Sequence, residues 1–159
     1  MTGIDEWKTR GRTANLSGHN IFYVDEGAPD QETIFLIHGF PTSSWDWTPI
    51  WNRLRENYRV VAPDMLGFGY SSKPLDHTYS IMEQADIIEE LTGKLGLKTF
   101  HVLAHDYGDT VAQELLARQN AGTGVGEWTS LCLLNGGLFP ETHKALLIQK
   151  LLLGPFGKW

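Results

Sequence analysis

Short apolar runs alternate along the chain with segments in which apolar residues recur at helical spacing. The short runs fall at residues 19–25, 33–37, 58–62, 100–103 and 130–134, and they predict β-strands. Helical spacing at residues 45–55, 80–95 and 109–118 predicts the connecting helices. This order indicates an α/β protein with a mostly parallel sheet, helices on both faces and right-handed crossovers.

Two of these predicted helices carry further signals. Ser80 and Glu83 form a capping box at the start of the helix at residues 80–95, and Gly96 ends it. The helix at residues 45–55 has one predicted apolar side, formed by Trp47, Ile50, Trp51 and Leu54.

Three segments leave the carboxyl ends of predicted strands, at residues 38–41, 64–72 and 104–108. In open α/β sheets, ligands bind at those ends. We therefore expect the functional site where the three segments meet.

Composition narrows the class of partner. Hydrophobic residues make up 42% of the 159-residue chain and charged residues 20%, which is typical of a folded domain rather than a disordered chain. Lys and Arg number 13 against 19 Asp and Glu, so the net charge is −6. Because phosphate groups are bound by clustered cations, we expect no nucleic acid and no anionic membrane as a partner.

The sequence also favours a cytoplasmic protein. Cys132 is the single cysteine, so no disulfide forms within the chain, which fits a reducing compartment. The N-terminus lacks the apolar segment of a signal peptide. No run approaches the ~18 apolar residues of a membrane span. The longest candidate, residues 145–153, predicts a short packing helix.

The candidate chemistry centres on a strand-to-helix turn. Small residues stand two positions before and after a central aspartate, in the order Ala104, His105, Asp106, Tyr107, Gly108. This small-x-nucleophile-x-small pattern is that of a nucleophile elbow, in which a sharp turn leaves no room for larger flanking side chains. The alternative for Asp106 is an ordinary N-cap aspartate at a helix start.

An aspartate in that position dictates a particular reaction. A carboxylate at neutral pH attacks without help from a base, and it can displace a leaving group from saturated carbon to give an alkyl ester. A histidine must then activate the water that hydrolyses the ester. The predicted helix after Asp106 adds up to about 1 kcal/mol of stabilisation to its negative charge.

A second motif, His38, Gly39, Phe40 and Pro41, follows the strand at residues 33–37. Gly39 permits a tight turn that directs the backbone N–H of Phe40 into the site. Together with the N–H of Tyr107 it would form an oxyanion hole. We expect His38 and His105 to be structural residues rather than bases. An ordinary Gly-Pro loop is the alternative reading of this motif.

The motifs resemble those of a known group of enzymes. The segments at residues 38–47, 63–74 and 104–116 look like the epoxide hydrolase and haloalkane dehalogenase branch of the α/β-hydrolases. With the segment at residues 130–152, the chain resembles the mesoderm-specific-transcript subgroup of that branch. The resemblance implies an α/β-hydrolase fold, Asp106 as nucleophile, Phe40 and Tyr107 as oxyanion-hole donors, a small-molecule substrate, and no cofactor or metal ion.

The resemblance favours epoxide-hydrolase-like chemistry. Haloalkane dehalogenases often have an asparagine at the position of Phe40 and a tryptophan at that of Tyr107, and these two side chains bind the departing halide. Because this chain has Phe40 and Tyr107 instead, it lacks that halide-binding pair. Fluoroacetate dehalogenases share an HGFP-like segment, which keeps a dehalogenase open as the alternative.

In this branch a cap, a catalytic acid and a catalytic histidine follow the strand that corresponds to residues 130–134. We therefore expect residues 1–138 to be the N-terminal part of the core and residues 139–159 the start of the cap. The acid and the base would then be missing from this chain, since His143 belongs to the predicted cap segment. We expect such a fragment to be inactive and aggregation-prone unless a second chain supplies the C-terminal half.

Two other interpretations stay open. The first is a non-catalytic fragment or binding module that keeps the hydrolase fold. The second is a serine esterase, although no serine has the elbow pattern; its candidates near strand ends are Ser43, Ser44, Ser71 and Ser72. Asp64 is a candidate second acid, with a turn residue after Pro63 as its alternative.

Overall fold

The computed structural model describes residues 3–136. Six strands form one sheet: β1 (Arg12–Leu16), β2 (His19–Glu26), β3 (Thr33–Ile37), β4 (Arg59–Pro63), β5 (Thr99–His105) and β6 (Glu127–Leu134). Four α-helices accompany it in the described range: α1 (Ile4–Arg10), α2 (Thr48–Leu54), α3 (Ile81–Lys94) and α4 (Tyr107–Asn120). A 3-10 helix, Ser44–Trp47, leads directly into α2.

The strand order across the sheet is β1-β2-β4-β3-β5-β6. The pairs β3–β4, β3–β5 and β5–β6 are parallel, whereas β1–β2 and β2–β4 are antiparallel. The predicted α/β class with a mostly parallel sheet is confirmed, with an antiparallel edge that the sequence did not predict.

Two hydrophobic cores lie on opposite faces of the sheet. In β3, Phe35 and Ile37 pack into the core shared with α3 and α4, while Leu36 packs into the core beside Trp7 and Trp51. A strand buried on both faces has a continuous apolar run rather than an alternating one, as β3 does. Helices on both faces were expected from the sequence.

The first two elements, α1 and β1, were not predicted from the sequence. Trp7 is fully buried, its Nε1 donates to Ser44 Oγ at 3.0 Å, and its ring meets that of Trp51 edge-on at 4.7 Å. The Arg10 guanidinium binds the Glu26 carboxylate through two nitrogens. These contacts fix α1 against the sheet.

Some predicted boundaries and faces differ from the structure. The helix at residues 45–55 begins as a 3-10 turn, and Ile50, expected on its apolar side, is 39% exposed. Helix α4 begins at Tyr107, two residues earlier than its periodicity indicated, because Tyr107 and Gly108 already have helical geometry. Strands β5 and β6 are each longer than their apolar runs.

The division at residue 138, the cap segment with His143 and the predicted helix at 145–153 lie outside the described residues. Within residues 3–136, no helix has the length and apolar character needed to cross a membrane.

Candidate active site

The segments that follow β3 and β5 meet around one carboxylate. The backbone N–H of Phe40 donates to Asp106 Oδ1 at 2.9 Å, and the N–H of Tyr107 donates to the same oxygen at 2.6 Å. Two donors from separate loops thus converge on Oδ1. The other oxygen, Oδ2, has no hydrogen-bond partner among residues 3–136. Asp106 as a residue is half-buried.

The backbone of Asp106 differs from that of an ordinary helix cap. An N-cap residue is normally extended and accepts from the N–H two or three positions on. Asp106 instead has φ 54° and ψ −115°, and its side chain accepts from the very next N–H. Such a conformation in a non-glycine residue costs about 1–3 kcal/mol and is typical of functional sites. The contact from Phe40 is also not part of any cap.

Close packing explains the small residues around this turn. A Cβ on Gly39 would lie 2.6 Å from Asp106 Cβ, and one on Gly108 would lie 2.5 Å from the carbonyl oxygens of Ile37 and His38. Ala104 is fully buried in β5. The start of α4 therefore presses directly onto the backbone at the end of β3.

We expect Gly108→Ala to destabilise the fold by about 2 kcal/mol or more, since overpacking against backbone atoms cannot be relieved by a rotamer change. Urea unfolding followed by circular dichroism measures this loss. Gly93→Ala in α3 is the matched control, because its new Cβ would lie 3.9 Å from Val125 Cγ1, an ordinary contact. Equal effects from the two substitutions would contradict the close approach of α4 to β3.

An open, mainly apolar pocket adjoins the Asp106 turn. Its volume is about 360 Å³, and it is lined by Phe40, Leu66, Gly67, Phe68, Tyr79, Gln84 and Tyr107. The Phe68 ring packs against the rings of Phe40 and Tyr107, with centroids 6.2 Å and 6.0 Å away. Burial, and secondarily the charge of Glu83, raises the pKa of Tyr107, so its hydroxyl stays protonated at neutral pH. The two residues that hold Asp106 through their backbones thus also line the pocket through their rings.

His38 is fully buried, and backbone groups occupy both of its ring nitrogens. The N–H of Met65 donates to Nε2 at 3.0 Å, which places the ring proton on Nδ1, 2.8 Å from the Gly39 carbonyl oxygen. Burial lowers the pKa of His38, which keeps the ring neutral. His38 therefore ties the Gly39 turn to the segment after β4 and has no free nitrogen to act as a base.

The His38 ring should make stability depend on pH. Its pKa is lowered on folding from an ordinary value of 6.5, so below that pH the unfolded chain takes up a proton that the folded chain does not. We expect the free energy of unfolding to fall from pH 7 to pH 5, with a slope of at most about 1.4 kcal/mol per pH unit. The pKa of Glu26 is lowered from its ordinary value of 4.5, mainly by its hydrogen bond with Arg10. Its contribution to the free energy of unfolding is therefore lost only in more acidic solution, below the range in which His38 acts.

Urea unfolding at several pH values, with a chelator present, tests this prediction. His38→Gln should flatten the slope between pH 7 and pH 5. A slope that persists in His38→Gln would assign the dependence to another group.

The remaining sequence candidates have structural contacts. The half-buried His105 ring lies edge-on to Trp47 at 6.5 Å and makes no hydrogen bond to Asp106, and Pro41 is exposed after a cis peptide bond. Asp64 is fully buried and accepts from Ser44 through Oδ1 and from the Tyr70 N–H through Oδ2. Its two oxygens are therefore engaged in the turn after β4.

The serines considered for an esterase are also engaged in that turn and its surroundings. Ser44 Oγ donates to Asp64 and accepts from Trp7, while Ser71 Oγ donates to the Asp64 carbonyl oxygen and accepts from the Phe22 N–H. Ser43 Oγ accepts from the Trp45 N–H, and Ser72 Oγ accepts from the Asn20 N–H. None of the four serines is at the strand-to-helix turn after β5. The geometry gives no support to the serine esterase interpretation.

The sequence missed one buried carboxylate beside the site. Asp109, on the first turn of α4, is fully buried, and its Oδ1 lies 3.4 Å from the Leu134 N–H. Its Oδ2 has no partner within the described part of the chain. Burial raises its pKa. The signal available from sequence was a charged residue at the first position of the predicted helix at residues 109–118, which is usually an exposed position.

Comparison with known proteins identifies the family of this chain. Residues 32–142 match a family described as alpha/beta hydrolase fold. The chain is 52% identical over 158 residues to the mesoderm-specific transcript homolog protein of Bos taurus, a match that covers 94% of this chain and 46% of that protein. The chain thus spans about half the length of the curated relatives that it matches.

Solved structures show the same architecture. The epoxide hydrolase CorEH superposes with a TM-score of 0.70 and 26% identity, over 90% of this chain and 48% of that one. The haloalkane dehalogenase DatA from Agrobacterium tumefaciens C58 gives a TM-score of 0.67 and 27% identity, over 79% of this chain and 40% of that one. The branch and subgroup indicated by the sequence motifs are confirmed.

Proposed function

This chain belongs to the alpha/beta hydrolase fold family, and within it we propose a hydrolase that uses Asp106 as a covalent nucleophile. The observation that carries the proposal is the pair of backbone amides on Asp106 Oδ1, while Oδ2 has no hydrogen-bond partner among residues 3–136. An aspartate held in this way presents one oxygen for attack and keeps the other fixed. Preorganised donors of this kind lower the barrier without reorganisation during the reaction.

The first step is the opening of a small electrophile, for which we propose an epoxide. Asp106 Oδ2 bonds to a ring carbon, the carbon–oxygen bond of the epoxide breaks, and its electron pair goes to the epoxide oxygen, which must receive a proton. The product is an alkyl ester on Asp106. The apolar pocket beside Phe40 and Tyr107 suits a substrate with little charge.

The second step is hydrolysis of that ester. Water adds to Asp106 Cγ, and the negative charge that develops on Oδ1 is stabilised by the N–H groups of Phe40 and Tyr107. The Cγ–Oδ2 bond then breaks, which releases the diol and restores the Asp106 carboxylate. A histidine must remove a proton from the water. Within residues 3–136, no histidine ring bonds to Asp106, and both nitrogens of His38 are occupied. We propose that the base and its acid partner lie in a C-terminal half, on the same or a second chain.

A dehalogenase is the second candidate, because haloalkane dehalogenases are among the similar structures. Displacement of a halide would use the same oxygen of Asp106. Phe40 offers no side-chain donor to a departing halide, which favours the epoxide. Parallel reactions with a small terminal epoxide and a short alkyl bromide discriminate between the two.

Intact-mass and peptide mass spectrometry of this chain after exposure to each compound tests the proposal. Because no histidine ring bonds to Asp106 within residues 3–136, we expect the ester to accumulate on Asp106 with no turnover. Addition of the C-terminal half should then release diol or alcohol. The exposed Cys132 is first replaced by serine, because a thiol reacts with both compounds. An adduct on another residue, or no adduct with either compound even in the completed protein, would then reject Asp106 as nucleophile and leave the non-catalytic interpretation.

A further inference from the structure

A second cluster of chemically active side chains lies outside the Asp106 site. It consists of His19 at the start of β2, His77 in the loop before α3, and Glu83 in the first turn of α3. His77 Nε2 lies 2.8 Å from Glu83 Oε2, and His19 Nε2 lies 3.7 Å from Glu83 Oε1. The candidate donor atoms of the three residues all lie within 4.8 Å of one another. Three segments that are separate in sequence therefore direct two imidazoles and one carboxylate to one point.

Glu83 does not have the role that its sequence position predicts. In a complete capping box its carboxylate would return to the N–H of Ser80. Only half of that box forms: Ser80 Oγ accepts from the Glu83 N–H at 3.1 Å, while the carboxylate is turned to His77 and His19. The helix start is thus capped without the Glu83 side chain, which is left for the cluster.

Burial of the cluster suits a bound ion. The side chains of His19, His77 and Glu83 are 22%, 22% and 23% exposed, so they are held in place but accessible to solvent. The rings of His19 and His77 meet edge-on at 5.2 Å, and His77 also packs against Tyr79 at 4.8 Å. Packing therefore restricts both imidazoles before any ligand arrives.

From this geometry we propose that His19, His77 and Glu83 form a binding site for Zn²⁺. Two histidines and one glutamate are a recognised zinc ligand set, which leaves a fourth tetrahedral position for water. Metal–ligand bonds of about 2.0–2.1 Å require donor atoms roughly 3.3 Å apart in a tetrahedral site. The present separations of 2.8 Å and 3.7 Å run to different oxygens of Glu83 and lie on either side of that value, and all three donor atoms lie within 4.8 Å of one another. Side-chain rotation would therefore have to bring the three donors onto one ion.

The ion would add a link between segments that are separate in sequence. It would fasten the start of β2 and the loop at residues 73–80 to the first turn of α3. Tyr79, which lines the pocket beside Phe40 and Tyr107, lies two residues after His77 in that loop. The zinc site shares no residue with the Asp106 site, and it neither needs nor implies the proposed hydrolase chemistry.

Zinc titration of the 159-residue chain, in competition with a chromophoric chelator, tests this site. The exposed Cys132 is first replaced by serine to remove a competing thiol ligand. We expect one Zn²⁺ per chain, and at least a ~100-fold loss of affinity in His77→Gln, since even residues behind metal ligands contribute 10–100-fold. Glu83→Gln and His19→Gln should have comparable effects, because each removes one ligand. Far-UV circular dichroism confirms that each variant is folded.

The matched control is His101→Gln. His101 is a histidine of similar exposure that bonds Ser130 and lies outside the cluster, so its replacement should leave zinc affinity unchanged. Co²⁺ in place of Zn²⁺ gives an independent readout, a visible spectrum of four-coordinate nitrogen and oxygen ligands that is lost in His19→Gln. The proposal is overturned if zinc fails to bind at micromolar concentration, or if binding survives in all three cluster variants.

Discussion

Replacing Asp106 with asparagine should abolish formation of the covalent ester, with a loss in the rate of adduct formation of at least about 10³-fold. The substitution removes the nucleophilic charge while keeping the size of the side chain. The asparagine carbonyl oxygen can still accept from the N–H groups of Phe40 and Tyr107, so the turn itself should persist. The measurement is the fraction of chain modified over time by a small epoxide or alkyl bromide, followed by mass spectrometry.

Asp109→Asn is the matched control for that experiment. It replaces a carboxyl group only three residues away, one whose Oδ1 accepts from the Leu134 N–H and whose Oδ2 lacks a partner in the described residues. We expect Asp109→Asn to keep forming the ester. If both variants lose the adduct equally, the effect comes from the charge around the turn rather than from attack by Asp106.

The parts of the fold that the sequence predicted are those with a strong hydrophobic pattern. Strand β3 is buried on both faces, and its run of apolar residues matches its observed bounds. Helix α3 has a regular apolar face and a capping residue, Ser80, and it begins one residue later. In contrast, β1 has only Ala14 and Leu16 as buried positions among polar residues, a pattern too short to separate from a loop. Helix α1 buries Trp7 alone, which gives no period at all.

The candidate site was predictable only as a pattern of backbone constraints. The small residues Gly39, Ala104 and Gly108 indicated that segments of the chain pack closely around the turn. The structure shows such close packing at Gly39 and Gly108, where a Cβ atom would clash with neighbouring atoms. Two amides from different loops meet on one oxygen of Asp106. This meeting depends on the register of β3 beside β5, which no local sequence pattern encodes. The burial of Asp109 likewise depends on β6, whose end covers the first turn of α4.

The largest effect on stability should come from Trp7→Ala. Trp7 is fully buried, and removing a tryptophan from a packed core costs about 3–5 kcal/mol, a large share of the 5–15 kcal/mol that holds a typical domain together. The substitution also removes the hydrogen bond to Ser44 Oγ, whose residue in turn binds Asp64 in the turn after β4. Urea unfolding followed by far-UV circular dichroism measures the loss.

Ile4→Ala, in the same helix, is the control, because Ile4 is 51% exposed and its replacement should change stability by less than about 1 kcal/mol. Comparing the free energies of unfolding of the two variants separates the contribution of α1 packing against the sheet from that of its helix propensity. Equal and small losses would mean that α1 contributes little to the fold and that the contacts of Trp7 with Ser44 and Trp51 do not persist in solution. A large loss at Trp7 alone would show that an element invisible to sequence periodicity stabilises the loop network behind Asp106.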